Sequence, residues 1–245
     1  MKVFCTILVL LSSLLLLLAV DDGAELPGLL QPASWRNSGE WTVAGAIAGS
    51  STEKKWSSVK PAAPGKGILY NGAKGKTTNI VSRSSHGDVE LIAEFMIPRS
   101  SNSGIYLMQR YEVQILDSFG KPDDSLSVHD CGAIYERWDE EKEGKDKGYE
   151  GTRPLTNAST APGTWQKYRI VFRAPRFSAD GKKMENARFV LVEHNGVVIH
   201  QDVEVTGPTR GGVSGSEVPT APLTIQGDHG PVAFRKLEIK DIALP

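Results

Sequence analysis

The segment Val89 to Ile97, VELIAEFMI, constrains the fold more than any other. Val89, Leu91, Ala93 and Phe95 fall on one side of an extended chain, Glu90 and Glu94 on the other, and Pro98 ends the run. Alternation with a period of two suits a pleated strand with one face buried and scatters its apolar residues around a helix. Further short runs follow: 104–108, 111–116, 165–173, 187–193, 197–205, 223–226 and 232–242. They are rich in β-branched and aromatic residues and bounded by Gly, Pro, Asn or Asp. Asn195-Gly196 lies between two of them and suits a tight hairpin turn, because both residues tolerate positive φ. No long helical period occurs. The pattern predicts an all-β fold, an antiparallel β-sandwich or jelly roll.

Composition limits the function classes. Lys plus Arg number 28 against 29 Asp plus Glu, a net charge of −1, which gives no electrostatic pull toward nucleic acid or an anionic membrane. The hydrophobic fraction of 40% is too high for a disordered chain. Residues 1–20, MKVFCTILVLLSSLLLLLAV, have one lysine ahead of an apolar run, the pattern of a secretory signal peptide. Leu17-Leu18-Ala19 offers a weak cleavage site, so the leader is expected either to be removed or to stay as an N-terminal anchor. Both outcomes export the rest of the chain to the periplasm or the outside. A single domain is expected over residues 30–245, with no membrane contact beyond such an anchor. Removing residues 1–19 leaves one cysteine, Cys131, which cannot form an internal disulfide and is expected to pack as a small buried hydrophobe.

Two clusters carry chemistry. In Tyr111-Glu112-Val113-Gln114-Ile115-Leu116-Asp117, alternation places Glu112 and Gln114 on one face; a bulge would return Asp117 beside them. The acid-x-polar-x-x-acid spacing is similar to the catalytic strand of jelly-roll glucanases, but Gln114 and Asp117 stand where those enzymes carry Asp and Glu. The second cluster is Gln226-Gly227-Asp228-His229-Gly230, followed by Arg235. A Gly-flanked Asp-His turn can carry a proton relay near neutral pH, with Asp228 orienting His229 and Arg235 holding an oxyanion or a sugar hydroxyl. Asn102, Tyr106, His129 and Tyr135 join Gln114, Gln226, Asp228 and Arg235 as candidate substrate-binding residues. Glu112, Asp117, Asp228 and His229 are candidate ligands for a divalent metal ion, although no ligand spacing demands one. The charged run 136–150 and the Gly/Ser/Thr/Pro-rich run 208–222 are expected as loops, the first solvated or closing over a substrate.

Seven stretches, in order, resemble the family once labelled a domain of unknown function and now called 3-keto-disaccharide hydrolase. They are residues 102–107, 110–118, 131–135, 162–168, 195–197, 207–209 and 222–235. The resemblance covers roughly residues 35–244 and implies a concanavalin A-like jelly roll that acts on glycosides oxidised to a ketone at C3. Met108-Gln109, the 136–150 insertion and Gly227 depart from the family pattern.

Such a substrate explains a strand without two clean carboxylates. A ketone at C3 acidifies the C2 hydrogen, so a base can form an enolate that expels the C1 substituent; water then adds back, giving net hydrolysis. Glu112, Asp117 and His229 are the expected proton carriers, with Arg235, Gln114 or a divalent cation steadying the oxyanion. The alternative from another class is a noncatalytic, lectin-like carbohydrate-binding module of the same fold.

Overall fold

The computed structural model describes residues 28–63 and 66–245; the apolar leader expected over residues 1–20 lies outside the described residues. In chain order the strands are β1 (Thr42–Gly49), β2 (Trp56–Pro61), β3 (Ile68–Tyr70), β4 (Ile80–His86), β5 (Val89–Met96), β6 (Asn102–Leu107), β7 (Tyr111–Leu116) and β8 (Arg137–Trp138). Then follow β9 (Gly148–Tyr149), β10 (Gln166–Arg173), β11 (Arg176–Phe177), β12 (Lys183–Glu185), β13 (Ala187–His194), β14 (Val197–Val205), β15 (Ala221–Ile225) and β16 (Ala233–Asp241). Among the described residues the helical turns are short 3₁₀ segments. None of their helices is long and apolar enough to cross a membrane.

Two antiparallel sheets hold most of these strands. The larger runs β14-β13-β10-β5-β16-β3-β1-β2 and the smaller β4-β15-β6-β7. The fold is an antiparallel β-sandwich of the jelly-roll class. Alternation decides which face goes inward. Val89, Leu91, Ala93 and Phe95 of β5 are buried, as are Tyr168, Ile170 and Phe172 of β10. The smaller sheet answers with Ile105, Leu107, Tyr111, Val113, Ile115, Leu223 and Ile225. Rings fill the space between: Tyr111 packs 5.4 Å from Phe172, Phe172 5.2 Å from Phe189, and Phe95 4.7 Å from Tyr168. Each fully buried large apolar side chain contributes about 1.5–3 kcal/mol, so this seam carries much of the fold's stability. It also lies directly behind the strand that bears Glu112.

Two turns show local chemistry at work. His194 pairs with Val197 across Asn195-Gly196, and both turn residues have positive φ, as the Asn-Gly pair predicts. The β6–β7 hairpin turns through Met108 and Gln109, at φ 55° and 59°, a conformation uncommon outside glycine. The buried Arg110 follows and donates to the carbonyls of Met108 (3.2 Å) and Ser216 (2.9 Å), tying the turn to the 208–222 loop.

Cys131 is buried as expected. Its sulfur lies 3.0 Å from the Tyr168 hydroxyl, and burial pushes its thiol pKa up. Tyr168 in turn donates to the Gln114 carbonyl at 2.8 Å, joining the larger sheet to β7. His194 and His200 are packed in the interior, where burial lowers both pKa values to about 4 and keeps the rings neutral.

Candidate active site

The outward face of the smaller sheet is the floor of a cavity of about 840 Å³. Strand register builds this floor as a grid. Thr224 of β15 pairs with Tyr106 of β6, which pairs with Glu112 of β7; in the next row Gly104 pairs with Gln114, and Gln226 donates its N–H to the Gly104 carbonyl. Asn102 begins β6 one pleat further along. These residues alternate with the core-facing ones, so the pattern that buries Ile105, Val113 and Ile115 turns Asn102, Tyr106, Glu112 and Gln114 toward the cavity.

The free edge of β7 is covered rather than solvated. Gln114 N–H donates to Ala133 O at 2.9 Å, Tyr135 N–H to Glu112 O at 3.1 Å, and Glu112 N–H to Thr209 Oγ1 at 3.1 Å. Residues 131–135 and the start of the 208–222 loop thereby extend the floor, and Tyr135 and Thr209 line it. Glu112 is left only 2% exposed. Burial raises its carboxyl pKa to about 8; Tyr106 holds it down in part and the charge of Asp228 pushes it further up. At neutral pH Glu112 is therefore mostly a neutral acid, able to donate. Tyr106 is held well above the ordinary phenol range by its own burial and by the Glu112 carboxyl beside it. The Asn102 Oδ1, Thr224 Oγ1 and Gln226 Oε1 atoms are buried on or beside this floor with no hydrogen-bond partner. Buried polar atoms normally find partners, and several orphans on one cavity floor mark where ligand groups would bond.

His229 stands at the rim of this cavity. Its loop is fixed from beneath by Asn71, fully buried, whose amide donates to Gly227 O at 3.0 Å and Gly230 O at 2.7 Å and accepts from Val232 N–H at 2.9 Å. A side chain at Gly227 would overlap the Thr78 carbonyl, so the glycine lets the loop close against its support. Asp228 Oδ1 lies 2.6 Å from His229 Nδ1, and both side chains are about half exposed. With Asp228 accepting from Nδ1, Nε2 carries the free lone pair.

The remaining wall comes from the two loops. Arg137, Trp138 and Glu140 of the charged segment and residues 208–212, 214 and 215 of the second loop line the cavity. The Arg210 guanidinium sits 3.7 Å from the Trp138 ring centroid, and the Trp138 indole donates to Glu140 at 2.9 Å. These loops were legible as excursions from the sheets, but no spacing singles out Trp138, Arg137 or Arg210, and Thr224 hides in an ordinary strand.

Three expectations are corrected. Asp117 does not join Glu112: the β6–β7 register runs from Leu107↔Tyr111 to Asn102↔Leu116 without a bulge, so Asp117 falls beyond the strand end. Its carboxylate caps the Ser100 N–H at 2.8 Å and faces the Phe119 N–H at 3.4 Å. Arg235 lies on β16 of the other sheet, bonded to Glu94 at 2.6 Å and stacked 4.8 Å over Trp165. It reaches no part of the cavity. His129 is exposed and touches the site only through Tyr135, whose ring it meets at 5.3 Å. The four candidate metal ligands are accordingly not assembled, and no three His, Cys, Asp or Glu side chains converge among the described residues.

No curated protein matches the chain. Among solved structures, a candidate glycosyl hydrolase from Parabacteroides distasonis ATCC 8503 is 25% identical, with TM-score 0.54, covering 83% of this chain and 84% of that one. A second candidate glycosyl hydrolase from that organism is 16% identical, with TM-score 0.49, covering 75% and 83%. The carbohydrate-binding module CBM66 from Bacillus subtilis is 10% identical, with TM-score 0.37, covering 84% and 98%. Residues 33–240 match the model of the 3-keto-α-glucoside-1,2-lyase-like domain, and the chain belongs to that family.

Proposed function

We propose that this chain is a carbohydrate-active enzyme that cleaves 3-keto-glycosides by elimination, followed by hydration to give net hydrolysis. The observation that carries the reading is Glu112: a carboxyl held neutral near pH 7 among unpartnered polar atoms, in the same cavity as the His229–Asp228 pair. One proton donor and one proton acceptor are what the chemistry requires.

His229 Nε2 takes the C2 proton, and the electron pair moves into the C3 carbonyl to form an enolate. Tyr106 and Asn102 line the same cavity, and in this reading they donate hydrogen bonds to that developing oxyanion, Tyr106 turning its O–H from its present partners to do so. As the C1–O bond breaks, the Glu112 acid protonates the departing oxygen and becomes a carboxylate. A C1=C2 enone is left; water adds its oxygen to C1 and a proton returns to C2. The base and the acid each end in their starting state. Gln114 cannot ionise and serves as a hydrogen-bonding wall.

Export, with the apolar leader of residues 1–20 as its signal or anchor, belongs to the same reading, and cell fractionation tests it. The central test incubates the protein with a 3-keto-disaccharide and with its unoxidised parent, in deuterated water, with and without chelator. Release of free sugar from the keto substrate alone, with deuterium at C2, is the expected result. Binding without cleavage would make the chain a carbohydrate-binding module, and cleavage without C2 exchange would point to direct displacement at C1.

A further inference from the structure

Beside the main cavity lies a second one of about 370 Å³. Tyr135, Arg137 and Thr209 line both, so the two compartments share one wall. Arg137 is the charged residue of that wall. Its guanidinium donates to Thr206 Oγ1 at 2.6 Å and Glu150 Oε2 at 3.2 Å, and lies 5.0 Å over the Tyr149 ring. Its Nε is buried without a partner. Glu150 and Thr206, bonded to Arg137, line this compartment together with Thr152 and Glu204, and polar and apolar surface are present in about equal amounts.

Ligand sites commonly measure ~300–1,000 Å³, so the second compartment is large enough for one more small unit beyond what the first holds. Its chemistry suits a neutral polyhydroxy group: carboxylates accept from several hydroxyls, and a guanidinium N–H donates back.

We propose that this compartment is a second saccharide subsite, and that the chain binds oligosaccharides of three or more units in preference to disaccharides. The proposal rests on the main cavity being a sugar site. It does not depend on the cleavage chemistry.

The experiment is calorimetric titration of the full chain with unoxidised gluco-oligosaccharides of two, three and four units, so that no turnover is needed. Affinity should rise about tenfold from two units to three, equivalent to about 1.4 kcal/mol. Thr152→Phe, which fills the second compartment, should abolish that gain and leave disaccharide affinity unchanged. Glu204→Gln, a milder change on an exposed side chain, should reduce the gain and keep the fold. Equal affinities for all lengths, or a gain that survives both substitutions, would overturn the subsite, as would the absence of binding at every length. A preserved length preference in a chain that cleaves no 3-keto sugar would support the subsite and remove the proposed reaction instead.

Discussion

The Glu112 carboxyl lies over Gly104 on the neighbouring strand: a Cβ placed there would overlap Oε1 and stand 2.8 Å from Cδ. The central position of the cavity floor is thus left without a side chain, and the carboxyl occupies the space. Gly104→Ala should displace Glu112 and lower kcat by about 10²-fold, the effect of moving a reacting group by about 1 Å. The fold should survive, because the added methyl points out of the core. A melting curve beside the kinetics separates the two effects, and full activity in the alanine variant would show that Glu112 does not need this seat.

Glu112 also sets a pH signature. Its pKa is raised from an ordinary 4.5 to about 8, so activity that uses its acid form should fall as pH rises through about 8. The sign for stability is the same. The folded state holds a proton that the unfolded state loses above about 4.5, so this contribution is complete at low pH and declines until about pH 8. Glu112→Gln should remove the loss of stability between about pH 4.5 and 8 and abolish most turnover. Denaturant titrations between pH 5 and 9 check the first, and initial rates the second.

Replacing His229 tests the other half of the relay. His229→Ala should reduce kcat by roughly 10²–10⁴-fold, the range for losing a general base. Asp228→Asn should fall between that variant and the wild type, because the ring keeps its place but loses the charged carboxylate that fixes its tautomer and steadies its protonated form. If Asp228→Asn proved as damaging as His229→Ala, Asp228 would have to act directly on the substrate.

The corrected residues supply a contrast. Asp117→Asn and Arg235→Ala should leave kcat and KM unchanged, since neither side chain reaches the cavity. Arg235 pairs with Glu94 on an exposed face, so its loss should cost at most about 1 kcal/mol of stability. A fall in activity from either substitution would place the site elsewhere.

How much of this was legible in the sequence varied by element. The long strands from Val89 onward declare themselves, because β-branched and aromatic residues alternate and turn residues bound them; the short pairs β8–β9, inside the charged run expected as a loop, and β11–β12 carry no such pattern. Strands β1 to β4 do not: Thr42–Gly49 reads TVAGAIAG and Ile80–His86 reads IVSRSSH, too small or too polar for a clear stripe. The pairing of Glu112 with Gln114 on one face follows from period two alone. Whether that face meets water or a cavity depends on the loops around Trp138 and Arg210, which local pattern does not place. Arg235 follows His229 closely in sequence, yet the next strand joins the other sheet. Asp117 needed a bulge, and an unbroken hairpin register left it outside.

The strand orders also carry a temporal consequence. β15 lies between β4 and β6, and β16 between β5 and β3, so the two strands latest among the described residues occupy interior positions in both sheets. A growing polypeptide has already made their neighbours, but it can close neither sheet until residues 221–241 are available. Pairings so distant along the chain are slow to form. Thr224, Gln226 and His229 lie in this same segment, so closing the two sheets and completing the cavity floor depend on the same stretch of chain.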